Sequence, residues 1–338
     1  MDWTAALGFA LGQALGPTMV VYALAAIGVN VHFGYTGLLN FGQAGFVGVA
    51  AFGLAMGVST FGLSFWVAIP IGLVAAVVLA LLLGVPTLRL RADYLAIVTI
   101  AAAEIVRRLF RSVALSEWTG GSDGLRGFTG TFADLNPYEE RWTLDWPQWL
   151  SLLPSITYGR NQLWVMTVGW VIVALCLLVV WLAMRSPWGR VLKAIREDED
   201  AVRALGKNVY WYKMQSLVLG GLIGALAGFL FALDRANVQP DTYSTDFTFY
   251  LYVIVILGGA ARVFGPLVGA VIFWFLISFL SRILEQMERL DILPDSVLTT
   301  TEVGPVVFFM LGLGMVLMLI YRPQRIFGDK REISLDVR

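Results

Sequence analysis

Few side chains in this sequence could do chemistry. The single histidine, His32, rules out a zinc motif that needs two imidazoles, and the single cysteine, Cys176, rules out a thiolate cluster or a disulfide framework. Cys176 falls inside the apolar run 171–181 and reads as a small filler; His32 is expected at a helix end near a membrane interface. No G-x-x-x-x-G-K-[ST] loop is present to cradle the phosphates of a nucleotide. Glu104 is the one ionisable residue well inside an apolar run, where a bare charge costs at least about 2.5–3.5 kcal/mol. Arg107 and Arg108 follow one turn later, so Glu104 either makes a structural ion pair near the outer interface or stands on a solute pathway. Asn40 and Gln43 sit among Gly37, Gly42, Gly45 and Gly48, and their amides either bond helix to helix or face an interior pathway. These residues supply no metal cluster, no paired carboxylates and no Ser/His pair beyond the one histidine, which argues against an embedded enzyme. They supply no chain of acids for a proton relay either, and suit a solute with an apolar side chain.

The elements that must position these residues are membrane spans. Of 338 residues 58% are apolar and 14% charged, with mean hydropathy +0.75, so the excess apolar surface has to face lipid. The formal net charge is zero, so no basic field points to nucleic acid. A bilayer core about 30 Å thick asks for about 20 apolar residues per helix. Nine stretches come close, near 17–33, 38–58, 63–84, 93–110, 161–184, 214–234, 243–259, 265–283 and 303–321. The reading is an all-α polytopic membrane protein, a single transmembrane domain over 1–338 with about nine helices, eight to ten by the uncertain edges. Residues 3–16 either extend the first span or form a half-helix. No basic n-region or A-x-A pattern marks a removable signal peptide.

Most of the 24 lysines and arginines gather at Arg89 and Arg91, in 185–213, at Arg262 and from Arg322 to Arg338. Parity puts these segments on one side, which the positive-inside rule makes cytoplasmic, together with the 322–338 tail. The 111–160 loop then lies outside, and Trp142, Trp146 and Trp149 in it read as an interfacial aromatic belt or a short helix on the membrane. Asp234 and Arg235 end a span and read as interfacial. Gly220, Gly224 and Gly228 recur on one helix face and Gly265 and Gly269 repeat the spacing, which lets backbones pack closely in lipid. In 185–213, Pro187 can open a helix and Gly206 close one, with Ile195, Val202 and Leu205 on one face and Glu197, Asp198, Glu199 and Asp200 on a solvated one. Such a helix either docks in a partner's groove or is an ordinary solvated loop.

The run AIREDEDAVRALG (194–206) resembles the cytoplasmic coupling loop of permeases for branched-chain amino acids, the LivH/LivM type, with LivM nearer. GYTGLLNFGQAGFVGVAAF (34–52), LRADYLAIVTIAAAEIVRR (90–108), TGGSDGLRG (119–127) and GGAARVFGPLVGAV (258–271) are similar, in order, to the family's early Gly-rich helix, central span, external loop and late glycine motif. The resemblance implies the membrane-spanning subunit of an ATP-driven importer in a bacterial-type inner membrane. Its implied partners are a homologous second permease subunit, two cytoplasmic ATPase subunits that bind ATP and Mg, and an external solute-binding protein. It would set Arg196, Glu197, Asp198, Ala201, Leu205 and Gly206 in or beside the ATPase contact, and Gly120, Gly121, Asp123 and Gly124 where the binding protein docks, unless the last four only fold their loop. The expected cargo is leucine, isoleucine or valine. Urea or short amides, and a stand-alone secondary transporter, are the other readings.

Overall fold

A computed structural model describes residues 3–89, 92–144, 155–289 and 303–321 of the chain. It is a multi-pass α-helical membrane protein in which, among the described residues, six helices are long and apolar enough to cross a bilayer. The first helix, α1 (Trp3–Leu15), stops at Gly16, whose extended backbone lets Pro17 open α2 (Pro17–Val29) at its first turn. Residues 3–15 therefore form the separate half-helix, about 20 Å long, and do not lengthen the first span. α2 runs on into a π-helical turn, Asn30–Tyr35, and α3 (Gln43–Ala55) into another, Met56–Thr60. The span expected from 38 begins only at Gln43, because residues 36–42 form a turn-rich connection in which Gly37 takes φ +72°. α4 (Phe65–Thr87) follows, then α5 (Ala92–Arg111).

Between α5 and α8 (Arg160–Arg185) lie α6 (Ser116–Thr119), β1 (Leu125–Arg126), α7 (Gly130–Asp134), β2 (Trp142–Leu144) and β3 (Ile156–Tyr158). After α8 come α9 (Pro187–Glu197), α10 (Glu199–Ala204), α11 (Val209–Arg235), β4 (Asn237–Val238), α12 (Thr245–Gly258), α13 (Gly265–Arg289) and α14 (Val303–Tyr321). Short antiparallel pairs join β1 to β4 and β2 to β3. Trp142 lies in β2 opposite Tyr158, so it belongs to a strand and not to a surface helix; Trp146 and Trp149 fall outside the described residues.

Among the described residues, six of the nine expected stretches form helices that meet this length and composition; 93–110, 243–259 and 303–321 are helical but do not. α5 carries Asp93, Glu104, Arg107, Arg108 and Arg111, too many charges for a plain lipid-embedded helix. α12 has 14 residues, about 21 Å and short of the bilayer core, because a 3₁₀ turn at Pro240–Tyr243 starts it late and Gly259 at φ +95° ends it early. Within α14 the described apolar helix spans Gly304–Gly314.

α11 is the axis, packed against α2, α3, α4 and α8. Lipid tails are as apolar as leucine, so this packing needs close backbones more than apolar bulk. Gly220 faces the Gly28 carbonyl and the His32 ring, Gly224 faces the Gln43 amide, and Gly228 meets the backbone of Val47, each too near to admit a Cβ. Gly265 and Gly269 do the same against Gly258, Gly259 and Ile254 at the α12–α13 crossing. α4 and α8, at the periphery, expose Val74, Leu82, Leu175 and Leu178 instead.

Candidate functional site

The polar residues of 30–44 converge with those of α11 into a hub, and the helix pair α9–α10 rests on it. Asn30 grips the 261–262 turn twice: its Nδ2 donates to the Arg262 carbonyl (2.9 Å) and its Oδ1 accepts from the Ala261 N–H (2.9 Å). That grip holds Ala261 at φ +60°, a left-handed conformation costly for a residue with a Cβ. His32 is fully buried, bonded through Nε2 to the Leu217 carbonyl (3.1 Å) and through Nδ1 to the Asn40 Nδ2 (3.1 Å). The carbonyl needs a donor, so Nε2 carries the proton and Nδ1 accepts from the amide. His32 is therefore a core residue and not an interfacial one: the π-helical turn rotates it inward against α11.

The Thr36 hydroxyl lies 2.7 Å from Ser216 Oγ, and the Tyr252 hydroxyl donates to the Asn40 carbonyl (3.0 Å). Thr248 Oγ1 accepts from the Ala44 N–H, and Thr99 Oγ1 from the Phe41 N–H. Asn40 and Gln43 are 1% and 0% exposed. Gln43 Nε2 donates to the Gly220 carbonyl at 3.0 Å, while its Oε1 is buried without a partner, the one orphan acceptor of the hub. In this arrangement the Gln43 amide joins α3 to α11, and the Asn40 amide joins the 36–42 connection to the π-helical turn.

α9 opens at Pro187, with Ser186 Oγ accepting from the Gly189 N–H, and α10 ends in Gly206 at φ +77°. One continuous helix does not form between them. Asp198 takes extended backbone (φ −154°, ψ 102°), and its Oδ1 accepts from the N–H groups of Asp200 and Ala201 (both 3.0 Å), which makes it the N-cap of α10. Ile195 and Val202 are buried as the helical spacing predicts, on both sides of the break at Asp198, but Leu205 is 80% exposed, because α10 ends at Ala204 and Leu205 is its C-cap, outside the helical spacing.

Arg196 does not point away from the protein. Its Nη1 donates to the Gly34 carbonyl (2.8 Å), its stem covers Gly37, and its other nitrogens bind Glu197 Oε1 (2.6 and 3.0 Å). Glu199 pairs with Lys213 of α11 and with Arg203 (2.7 Å), and Trp188 Nε1 donates to Gln215 Oε1 of α11 (2.7 Å). Of the residues expected at the ATPase contact, Glu197, Asp198, Ala201, Leu205 and Gly206 are exposed and Arg196 is half-buried. Arg89 lies over the Tyr210 ring (5.6 Å) and Arg262 on the gripped turn, so three of the four basic segments meet at this end of the bundle. Arg91 and Arg322–Arg338 fall outside the described residues.

The opposite end holds the other site residues. Glu104 Oε1 accepts from Arg107 (2.7 Å) and Arg108 (2.8 Å), while Asp241 pairs with Arg107 and Arg111 (3.1 Å). Gly120, at φ +72°, ends α6 by donating its N–H to the Ser116 carbonyl (2.9 Å), and Gly121 (φ +59°) continues the turn. Gly124 at φ +74° lies against the Val238 backbone where β1 meets β4, and the Asp123 carbonyl accepts from Gln239 Nε2 (3.4 Å). The tyrosine of β3, Tyr158, donates to the Gly12 carbonyl (2.9 Å), and burial pushes its hydroxyl up to about 12. Among the described residues no three His, Cys, Asp or Glu side chains converge as a metal site.

Sequence reasoning missed the hub's extent. Its signal was available in the cluster Asn30, His32, Thr36, Asn40 and Gln43 within an otherwise apolar stretch, where each polar group must find a partner.

A family model described as a branched-chain amino acid transport system permease component matches residues 17–321. The high-affinity branched-chain amino acid transport system permease protein LivM of Escherichia coli is 32% identical over 308 residues, 90% of this chain and 67% of that protein. LivM of Salmonella typhimurium matches at the same identity and coverage, and a LivM of Methanocaldococcus jannaschii is 26% identical over 93% of this chain and 92% of its own length. The chain belongs to the family of branched-chain amino acid transport system permease components.

Proposed function

We propose that this chain forms the translocation pathway of an ATP-driven importer of leucine, isoleucine and valine, in a bacterial-type inner membrane. The family match over residues 17–321 carries that reading. In it the chain pairs with a homologous second permease subunit and binds no ATP itself; two ATPase subunits hold ATP and Mg, and an external binding protein delivers the amino acid. The end bearing Arg89, α9–α10 and Arg262 faces the cytoplasm, as does the C-terminal tail, and the 111–160 end with Gly120, Gly121, Asp123 and Gly124 receives the binding protein.

The ATPase docks on Glu197, Ala201, Leu205 and Gly206. Exposed Leu205 is the natural plug for an apolar socket, since a leucine 80% open to water gains by burial. Arg196 acts from behind this surface and Asp198 within it: Asp198 sets the angle between the helices, and Arg196 transmits a push on α9 to the Gly34 carbonyl. From there the hub leads to α11 through His32 and to α12 through Tyr252, so one displacement reaches several pathway helices. Asn40 and Gln43 hold the helices between which the pathway opens, and Glu104, partly exposed at the outer end, borders its mouth.

The test is leucine uptake and leucine-stimulated ATP hydrolysis in proteoliposomes holding this chain, its ATPases and its binding protein, with wild type set beside Leu205→Asp. Loss of both activities with the ATPases detached is the expected result. ATP-independent uptake by the chain alone, indifferent to Leu205→Asp, would establish a stand-alone transporter instead.

A further inference from the structure

At the 111–160 end of the bundle, where α2 begins and α11 ends, these two helix ends, α1 and β3 enclose a cavity of about 690 Å³. Half-buried Asp234 and exposed Arg235, the last two residues of α11, both stand on its wall. Left-handed Ala236 (φ +51°) caps the helix directly after them. Successive residues on a helix do not face each other, so the acid and the base meet the cavity from different directions. The Phe231 ring steers the Arg235 guanidinium, whose carbon lies 5.5 Å from the ring centroid. The helix ends reinforce this division of charge. The first turn of α2, with Thr18 on the wall, presents the positive end of its dipole, and the last turn of α11, with Asp234, presents the negative end. Phe9, 46% exposed, and Ile156 give the cavity an apolar flank, and Gln13 adds an amide.

We infer that this cavity takes a free α-amino acid, with its ammonium on Asp234, its carboxylate on Arg235 and its aliphatic side chain against Phe9 and Ile156. The inference rests on the amino-acid cargo proposed above and adds where that cargo meets this chain. A simple anion would bind Arg235 and be repelled by Asp234, and a simple cation the reverse. A zwitterion satisfies both, through one charge-assisted contact at each end. A phosphatidylethanolamine headgroup shares that pattern of charge, but its acyl chains would have to cross a wall carrying the polar groups of Gln13, Thr18 and Thr157. An amino acid with a short aliphatic side chain needs only the small apolar flank that Phe9 and Ile156 provide.

The full chain in phosphatidylglycerol nanodiscs is titrated with tritiated leucine by scintillation proximity. Leucine methyl ester, which lacks the carboxylate, and 4-methylpentanoate, which lacks the ammonium, serve as competitors. Saturable leucine binding is expected, with each analogue at least about tenfold weaker. Arg235→Gln should weaken leucine about tenfold and erase its advantage over the ester while keeping its advantage over 4-methylpentanoate; Asp234→Asn should do the converse. A merely structural role would weaken all three ligands alike, and that result overturns the assignment, as does wild-type binding that is absent or equal for all three. Loss of leucine binding when phosphatidylethanolamine replaces phosphatidylglycerol overturns it in favour of a lipid headgroup. The three-ligand comparison on wild type needs no variant, so it decides the matter even where a substitution unfolds the protein. Transport is not read in this assay: leucine uptake by the reconstituted importer, with no leucine bound by the chain alone, strikes the cavity and leaves the permease reading standing.

Discussion

The two ends of the bundle solve the same problem, fastening a connecting segment to a helical core, by different physics. At the 111–160 end backbone pairing leads: β1 lies on β4, where glycines at positive φ let the chains touch, β2 pairs with β3 within the loop, and Tyr158 adds a tie to the Gly12 carbonyl. At the 185–213 end it is side chain to backbone, through Arg196 on the Gly34 carbonyl and Asn30 on the 261–262 turn, with Lys213 on Glu199 beside them. Backbone pairing has no second geometry close by, so it fixes a loop in one pose. A guanidinium on a carbonyl can slide, release and return, which suits a segment that has to move relative to its core. In the proposed function the first arrangement suits a receiving platform and the second a joint.

The most damaging way to break that contrast is at the platform. Gly124→Val adds a side chain at φ +74° against the Val238 backbone, which cannot recede without opening the β1–β4 pair. It is expected to cost at least about 3 kcal/mol of strain and displacement. Gly127 has a similar φ of +80° but open space around it, so Gly127→Ala is expected to cost only about 1 kcal/mol. Thermal unfolding of the two variants in detergent separates backbone contact from φ alone; equal losses would mean that the close approach contributes nothing. Next in size is Arg196→Ala at the joint, where a charged donor to a carbonyl is lost, for about 2 kcal/mol. That loss should be local, seen as faster amide exchange in 187–204 with protection at 237–243 unchanged. Uniformly faster exchange at both ends would deny the joint its independence.

How far the sequence predicted these features follows from the range of the interactions involved. α4 was readable at 65–87 because its run is uniformly apolar, and the Pro187 and Gly206 boundaries because caps act over one turn. The break at Asp198 was hidden, since Glu197, Asp198, Glu199 and Asp200 look like one solvated face until Asp198 is seen to cap α10. The error over Leu205 has a separate cause, because α10 ends at Ala204 and helical spacing extrapolated past a helix end points the wrong way. The hub was hidden for another reason: His32 and Leu217 are 185 residues apart and Thr36 and Ser216 are 180 apart, and no local pattern encodes such pairings. Six of the expected spans are plain in length and composition, while α5 and α12 are set apart by charge in the first and by shortness in the second.

Smaller changes sharpen the contrast. Lys213 is 9% exposed, and Lys213→Gln leaves Glu199 with only Arg203, for an expected loss of about 1–2 kcal/mol. Adding Glu199→Gln should return part of that loss, since the stranded carboxylate goes with it. A double variant no better than the single one would show that the pair does not fasten α10 to α11.

The smallest effect belongs to Glu104→Gln. Glu104 bridges Arg107 and Arg108, but its side chain is 29% exposed, Arg108 is 74% exposed, and Arg107 keeps Asp241 when the carboxylate is neutralised. Exposed pairs of this kind are worth about 0.5 kcal/mol, and that contribution fades as salt shortens the screening length to about 8 Å at 0.15 M. The bond from Arg196 to Gly34 has a neutral acceptor inside the bundle, so salt should barely change its worth. Unfolding midpoints of Glu104→Gln and Arg196→Ala, measured against wild type at low and high salt, therefore ought to diverge: the first difference closes and the second persists. If the Arg196 difference also closed, the worth of Arg196 would lie in its exposed pairing with Glu197 and not in the carbonyl, and a push on α9 would reach the core only through α11, by Trp188 on Gln215 and Glu199 on Lys213.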